Sequence, residues 1–406
     1  MTASVEPQAL LLTLLDPAIR ADPYPVYRQI LDGGPMHIPE STLFVLSGFA
    51  DCDEVLRHPD SCSDRLKSPA AQRAIEAGEQ PRPFGTPGFL FLDPPDHTRL
   101  RKLVSKAFSP KVVKALEPDI SGLVDGLLDK VDGADQFDVI DALAHPLPVA
   151  VICRLLGVPI EDEPQFSAAS TLLAQGLDPF LTFSGESQGL EDRLQAGLWL
   201  RGYLRELLEQ RRAQPADDVM SALIAVEESG DQLTEEEIVA TCNLLLIAGH
   251  ETTVNLIANG ILAMLRNREH WTALSADPGR APAIIEETLR YDPPVQLVSR
   301  VAGADMKIGS TSIPKGDIMM LLLAAAHRDP AIAERPDEFD PDRGSIRHLA
   351  FGHGPHFCLG APLARMEAAV ALSAVTKRFP DARLAEEPVY KPHVTLRGMA
   401  RLNIAV

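Results

Sequence analysis

One long apolar segment constrains this sequence more than any other feature. Residues 234–266 are apolar on nearly every side of a helical projection, so a helix formed there must lie in the protein core. Thr234 and Glu237 form a T-x-x-E capping box, which predicts that the helix begins at this point. The sequence therefore predicts a core built around a buried helix.

The middle of this predicted helix carries polar residues in an apolar setting. Residues 248–253 read A-G-H-E-T-T. A glycine costs about 1 kcal/mol in a helix interior, and the side chains of Glu251, Thr252 and Thr253 must find partners if they are buried. Either this is a plain buried helix with a satisfied polar patch, or these residues have a chemical function.

Helical patterns dominate the first two thirds of the chain, and strand-like patterns gather late. Apolar residues recur at helical spacing in segments 51–57, 94–115, 119–129, 146–156, 192–212 and 282–291. Short apolar runs typical of strands are 43–46, 295–300, 306–308 and 318–323. The distribution predicts a predominantly α protein with a minor β region, of the α+β class. Because no interdomain linker is evident, we expect residues 1–406 to form a single domain.

Two segments interrupt the helical patterns. Residues 63–95 are rich in Pro and Gly and carry four apolar residues that we expect to be exposed, namely Phe84, Phe89, Leu90 and Phe91. Long loops of this kind are usually functional or disordered. Residues 170–197 are broken by glycines and a proline, and we expect a mobile lid there.

Composition argues against several classes of protein. The net charge of −19 argues against nucleic-acid binding, which requires Lys and Arg to neutralise phosphates. The five cysteines include no C-x-x-C pair, so neither a disulfide framework nor a structural zinc site is predicted, and a reducing compartment fits. The N-terminal region does not resemble a signal peptide, and residues 9–15 are too few for a bilayer span of about 20 residues. We therefore expect a cytoplasmic protein without a membrane anchor.

A glycine-rich loop places a cysteine at the start of a late helix. Residues 351–360 read F-G-H-G-P-H-F-C-L-G, and an Ala/Leu-rich helix opens at about Ala361. Since helix N-termini favour negative charge, the pKa of the Cys358 thiol is expected to be low. Taken alone, Cys358 is a small buried hydrophobe. Further alternatives are a zinc site with His353 and His356, and a cysteine nucleophile with His356 as its base.

This loop resembles the heme-binding signature of the cytochrome P-450 family. It matches F-x-x-G-x-x-x-C-x-G at every fixed position. Residues 248–252 resemble the family's oxygen-binding helix, and residues 287–290 (E-T-L-R) resemble its E-x-x-R helix. The similarity covers essentially the whole chain, from residues 22–25 (D-P-Y-P) through 93–99 (D-P-P-D-H-T-R) to the C-terminal strands. It is closest to soluble bacterial members and implies the cytochrome P-450 fold.

The resemblance implies a site for heme b (iron protoporphyrin IX). Cys358 would ligate the iron as a metal ligand, and an axial thiolate favours O–O cleavage. Glu251 and Thr252 would be the catalytic pair that handles the protons of O2 activation. Gly249 would let the helix widen, with Thr252 taking up a freed backbone carbonyl. Four side chains are at the family's propionate-binding positions, namely His97, Arg101, Arg300 and His356. The other implied cofactor contacts are Ala248, Gly249, Phe351, Gly352 and Gly360.

Glu287 and Arg290 lie three residues apart, on one helical face. Without the family, E-x-x-R is an ordinary surface salt bridge. The resemblance implies a structural role instead, with Arg343 of the following meander as third member, because a buried Arg needs an anionic partner.

The resemblance also implies a monooxygenase that inserts one oxygen atom of O2 into a lipophilic small molecule. Electrons would come from a ferredoxin and an NAD(P)H-dependent ferredoxin reductase, because the chain has no flavin or iron–sulfur signature. Rival interpretations are a peroxide-driven peroxygenase, whose members generally lack the acid–alcohol pair, and a non-catalytic heme binder or sensor. The partner would dock at Arg365 or at a basic cluster that comprises Arg99, Arg101, Lys102, Lys106, Lys111 and Lys114. The alternative interpretation of this cluster is a solvated helix face.

The substrate site is expected to be apolar. Its predicted lining, equally compatible with plain core packing, is 89–92, 172–183, 244–248, 295–298 and Leu396. A terpenoid, a steroid, a fatty acyl chain or a polyketide would suit such a lining.

Overall fold

Helices form most of the chain. The computed structural model describes residues 7–78, 86–175, 189–228 and 233–406. This helical content confirms the predicted fold class. Within the described ranges the α-helices are Pro7–Leu15, Tyr24–Gly33, Phe49–Arg57, Pro69–Glu76, Asp96–Val104, Pro110–Ala115, Glu117–Asp129, Pro146–Leu156, Glu163–Gln175, Leu190–Ala213, Val219–Glu228, Glu235–Arg266, Arg268–Ala276, Ala281–Tyr291, Leu323–Ala326 and Ala361–Arg378.

The strands are short and gather into small sheets. They are β1 (Met36–Ile38), β2 (Leu43–Leu46), β3 (Ser61–Cys62), β4 (Gln136–Asp138), β5 (Val298–Ala302), β6 (Met306–Ile308), β7 (Thr311–Ile313), β8 (Ile318–Leu321), β9 (Arg383–Leu384), β10 (Val389–Tyr390), β11 (Met399–Arg401) and β12 (Asn403–Ala405). The largest sheet has the order β1-β2-β8-β5-β3, in which β2 and β8 are parallel and the other neighbours antiparallel. A second sheet has the order β4-β12-β9, and antiparallel pairs join β6 to β7 and β10 to β11.

The central helix (Glu235–Arg266) runs without interruption through the core, as predicted. Its capping box is formed: the Glu237 amide donates to Thr234 Oγ1 at 3.3 Å, and the Thr234 amide donates to Glu237 Oε2 at 2.9 Å. Helices Pro146–Leu156 and Ala361–Arg378 pack against it. The polar residues in its middle are therefore enclosed by neighbouring elements.

The first irregular segment, residues 63–95, contains a helix that the sequence pattern did not indicate. Ser68 accepts a hydrogen bond from the Ala71 amide at 3.3 Å and caps Pro69–Glu76. The expectation that Phe89 is exposed is wrong, because its exposure is 6%. Leu90 and Phe91 are half-buried, so they are not exposed either. Phe84 lies outside the described residues.

The second irregular segment, residues 170–197, is entered and left by helices Glu163–Gln175 and Leu190–Ala213. Residues 176–188, on which the predicted lid depends, lie outside the described residues. The lid stays a prediction.

A buried ion network fastens helix Ala281–Tyr291 to the meander before the cysteine loop. Glu287 and Arg290 are both 0% exposed, and hydrogen bonds of 2.7 and 2.8 Å join their side chains. Arg343 Nε lies 3.1 Å from each Glu287 carboxylate oxygen, which confirms the predicted third member. The network holds the chain segment that leads into residues 351–360.

All five cysteines are free. Among the described residues, no helix is apolar over a length that would cross a bilayer. In the same part of the chain, no group of three or more His, Cys, Asp or Glu side chains is arranged to hold a metal ion. The zinc alternative for Cys358 therefore has no support there.

Candidate active site

A cavity of about 330 Å³ lies between the central helix and the cysteine loop (residues 351–360). Two of the predicted site residues, His97 and Glu251, do not border this cavity. His97 is buried and stacks on His356, with ring centroids 3.9 Å apart. Glu251 contacts Lys391 instead. The fold thus brings distant segments together around one cavity. The predicted residues that border it are Arg101, Ala248, Gly249, Thr252, Arg300, Phe351, Gly352, His356, Cys358 and Gly360.

Glycines shape the cysteine loop. Gly352 and Gly354 have φ angles of +70° and +68°, and residues other than glycine rarely adopt this backbone conformation. A Cβ atom on Gly354 would also lie 2.7 Å from the Leu56 carbonyl oxygen. The Cys358 amide donates to the Phe351 carbonyl at 2.7 Å, which closes the loop just before helix Ala361–Arg378.

The expectation of a low pKa for the Cys358 thiol is wrong for the metal-free chain. Burial raises this pKa more than the Gly360 and Ala361 amides and the charge of Arg101 lower it. Helix N-terminal donors are therefore present, but desolvation outweighs them. A coordinated metal ion would reverse this balance, because it deprotonates a ligating thiol.

Thr252 lies on the opposite wall of the cavity. Its hydroxyl donates to the Ala248 carbonyl at 2.8 Å, so the expected bond to a backbone carbonyl is present. The expected widening at Gly249 is wrong, since the central helix stays α-helical throughout. A Cβ atom on Gly249 would lie 3.4 Å from Ile152 Cδ1, so a larger residue here would fill space beside the cavity.

Glu251 forms an ion pair that the sequence did not predict. Lys391 Nζ lies 2.5 Å from Glu251 Oε1, while Glu251 Oε2 is buried without a hydrogen-bond partner in the described chain. Burial raises the pKa of Glu251, but the charge and hydrogen bond of Lys391 lower this pKa by more than burial raises it, so the net shift is downward. The carboxylate is thus held ionised. No local pattern marks Lys391, which lies 140 residues away along the chain.

Basic side chains without acidic partners gather at the cavity. Arg300 Nη1 donates to the Ser299 carbonyl at 2.8 Å, and Arg101 donates to the Phe357 carbonyl; neither pairs with a carboxylate among the described residues. Both ring nitrogens of His97 are also buried without partners in that part of the chain. Because buried donors and charges require partners, this cluster fits a ligand that carries carboxylates.

Burial disfavours the cationic forms in this cluster. It lowers the pKa of Arg300 to about 10 and, with the nearby His97 and Arg300, lowers the pKa of His356 to about 3. His356 is therefore neutral near pH 7. Arg65 also borders the cavity. It was not predicted, because it lies in no recognisable motif.

The predicted apolar lining is largely in place. The predicted apolar residues that border the cavity are Phe89, Leu90, Phe91, Leu244, Leu245, Ile247, Val295, Leu297, Val298 and Leu396. Residues 172–175 do not appear on its wall, and 176–183 lie outside the described residues. Ile152 and Leu256 were not predicted, because ordinary core packing gives the same sequence signal.

Comparisons with known proteins agree with this geometry. A sequence model of the cytochrome P-450 family matches residues 36–277 and 281–389. Cytochrome P-450 107B1 of Saccharopolyspora erythraea is 40% identical over 369 residues, which cover 89% of this chain and 88% of that protein. The vitamin D(3) 25-hydroxylase of Pseudonocardia autotrophica is 39% identical and covers 95% of this chain and 94% of its own length.

Solved structures give the same result. The ligand-free crystal structure of CYP164A2 from Mycobacterium smegmatis has 66% sequence identity and a TM-score of 0.93, covering 98% of this chain and 100% of that chain. The myxobacterial CYP267B1, solved with myristic acid, has 36% identity and a TM-score of 0.87, covering 97% and 98%.

Proposed function

Because this chain belongs to the cytochrome P-450 family of heme monooxygenases, we propose that it inserts one oxygen atom of O2 into a lipophilic organic substrate. One observation carries the proposal: Cys358, Thr252 and an apolar wall meet in a single cavity. A sulfur ligand, a hydroxyl group on a buried helix and a site that excludes water are the parts that this reaction requires.

The residues around the cavity fit heme b. Cys358 would ligate the iron, and the glycines of its loop would let the backbone approach a flat ligand. His97, Arg101, Arg300 and His356 would bind the propionates, for which the unpartnered ring nitrogens of His97 are suitable donors. When bound, the heme supplies a thiolate-ligated iron, which favours O–O cleavage.

Thr252 and Glu251 are the residues that we propose to move protons. The bond from Thr252 to the Ala248 carbonyl holds the hydroxyl group at the cavity wall. Glu251 would take up a proton at Oε2, the oxygen that Lys391 leaves without a partner. Adjacent residues of a helix do not face each other, so a water molecule would carry the proton from Glu251 to the Thr252 hydroxyl, which delivers it into a cavity that is otherwise mainly apolar.

The substrate would be lipophilic, because the cavity wall is dominated by aliphatic and aromatic side chains. A solved structure supports this class, since CYP267B1 was solved with myristic acid. Spectral titration of a compound library against the ferric protein would rank candidates by displacement of water from the iron.

Electrons would come from a ferredoxin and an NAD(P)H-dependent ferredoxin reductase. Arg99 pairs with Glu237 and Arg365 pairs with Glu286, which leaves these two cations less available to a partner. The four lysines of the basic cluster are exposed and suit an acidic partner, namely Lys102, Lys106, Lys111 and Lys114. Because all five cysteines are free, a reducing cytoplasm would suit the protein.

The decisive experiment is the absorption spectrum of the reduced protein under carbon monoxide. We expect the band of thiolate-ligated heme in the wild type and its loss in Cys358→Ala. Cys242→Ala is the matched control, since Cys242 is a buried free thiol that does not border the cavity, and it should keep the band. A band typical of histidine ligation in the fresh native protein would overturn the ligand assignment.

Turnover separates the proposed activity from its rivals. A monooxygenase should consume NADPH and O2 through the ferredoxin and its reductase and form an oxygenated product. Full activity with hydrogen peroxide but none with NADPH would indicate a peroxygenase instead. A sensor should function unchanged when Thr252 is replaced by Ala.

A further inference from the structure

Arg65 is a cation at the cavity wall that is not among the four side chains proposed to bind the propionates. It begins the short 3-10 turn Arg65–Lys67, and its Cζ lies 5.7 Å from the centroid of the Phe91 ring. Arg65 is exposed, and it borders the cavity. Protein atoms nevertheless surround the guanidinium closely enough for burial to lower its pKa.

No carboxylate of the described residues forms an ion pair with Arg65. Asp93 is already engaged, since Lys67 Nζ lies 2.8 Å from its Oδ2 and the Ser63 amide lies 2.7 Å from its Oδ1. Glu367 also borders the cavity, but burial raises its pKa to about 8. It is therefore largely neutral near pH 7 and does not balance a guanidinium.

If heme b were bound, the charges of the cavity would still leave Arg65 without an anion. The guanidinium groups that border the cavity belong to Arg65, Arg101 and Arg300. Heme b brings two propionates, which Arg101 and Arg300 match. Arg65 is exposed, but once ligands displace water from this part of the cavity, its charge would be unfavourable without a counter-ion. The remaining occupant of the cavity is then the natural source of an anion.

We propose that Arg65 binds the carboxylate of a lipophilic carboxylic acid and thereby selects the substrate class. This inference rests on the proposed function, because it concerns the same cavity. The planar fork of an arginine suits a carboxylate, and contact with the Phe91 ring limits the positions that the fork can adopt. The rest of the wall, including Phe89, Leu90 and Leu244, suits the hydrocarbon body of the acid.

The test compares ligands that differ only in their head group. Tetradecanoic acid, its methyl ester and 1-tetradecanol are titrated into the ferric holoenzyme, and binding is followed both by the heme spectrum and by calorimetry. The pH is kept above the pKa of the acid, so that the carboxylate is ionised. We expect the wild type to bind the acid at least about tenfold more tightly than the ester or alcohol, as a charge-assisted bond predicts.

Arg65→Gln should bring the three dissociation constants close together, and Arg65→Lys should keep part of the preference for the acid. Heme content and the carbon monoxide spectrum should not change. Arg378→Gln is the control, since Arg378 pairs with Asp129 on the surface and does not border the cavity; it should behave as the wild type.

Two outcomes would overturn the inference. One is equal binding of acid, ester and alcohol by the wild type, or no binding of the acid, which decides the matter even if Arg65→Gln fails to fold. The other is loss of heme from Arg65→Gln, which would make Arg65 a third propionate contact. A wild type without the carbon monoxide band would instead contradict the proposed function, so the two failures are distinguishable.

Discussion

Replacing Glu287 with Gln should destabilise the protein strongly. The Glu287 carboxylate is 0% exposed and accepts hydrogen bonds of 2.7 and 2.8 Å from Arg290, 3.1 Å from Arg343 and 2.8 Å from the Asp340 amide. Glutamine has nearly the same shape but presents one oxygen and one NH2 group. The substitution therefore removes the acceptor at one position and leaves two buried guanidinium groups without a counter-charge.

The expected cost follows from these contacts. Each hydrogen bond to a charged group contributes about 1.5–3 kcal/mol. If the NH2 group of glutamine takes the place of Glu287 Oε2, the hydrogen bonds that Arg290 and Arg343 donate to this oxygen are lost. Breaking a buried ion pair from one side costs about 3–5 kcal/mol. We therefore expect the free energy of unfolding to fall by about 3–5 kcal/mol. This loss is a large part of the free energy of unfolding of a typical protein, which is roughly 5–15 kcal/mol.

Urea unfolding followed by circular dichroism would measure the change. Glu338→Gln is the matched control, because Glu338 pairs with Arg335 in the same meander with side chains 57% and 62% exposed, and it should cost at most about 1 kcal/mol. If Glu287→Gln cost no more than this control, the reasoning would be refuted.

Three further predictions concern protons. Thr252→Ala should keep the consumption of O2 and NADPH but divert electrons to hydrogen peroxide, and an unchanged yield of product per NADPH would contradict the role of Thr252. Lys391→Met should raise the pKa of Glu251, because burial then acts without the lysine charge, and should move the acid limb of the pH–activity profile to higher pH; Lys391→Arg should not. Burial raises the pKa of Glu286, but the hydrogen bonds and charges of its partners, among them Arg365, lower it from 4.5 to about 2. A lowered carboxyl pKa contributes stability that is lost as pH falls, so acid titration of stability should be flatter in Glu286→Gln between these values, and parallel curves would contradict the role of Glu286.

Several elements could be predicted from the sequence because their signals are local. The capping box at Thr234 and the apolar circumference of the central helix define that helix without reference to the rest of the chain. The cysteine loop is equally local, since its glycines and Cys358 lie within ten consecutive positions. Arg343 was found through the family resemblance, and the structure confirms its place beside Glu287.

Other features depend on burial, which no local pattern reports. The helix N-terminus at Cys358 predicted a low thiol pKa, but desolvation by the folded chain raises it. Phe89 looked like part of an exposed loop, yet the fold buries it at the cavity wall. In both cases the surrounding fold excludes water from a segment whose own residues do not indicate burial.

The sequence by itself determined the fold class, because the periodicity of apolar residues reports helices and strands directly, and its contiguous motifs carry the resemblance that identified the family. Only the tertiary structure decided that Lys391 holds Glu251 and that Arg65 joins Arg101 and Arg300 at the cavity. Those contacts join residues far apart in the chain. Their strength depends on exclusion of water, and both conditions exist only after the chain has folded.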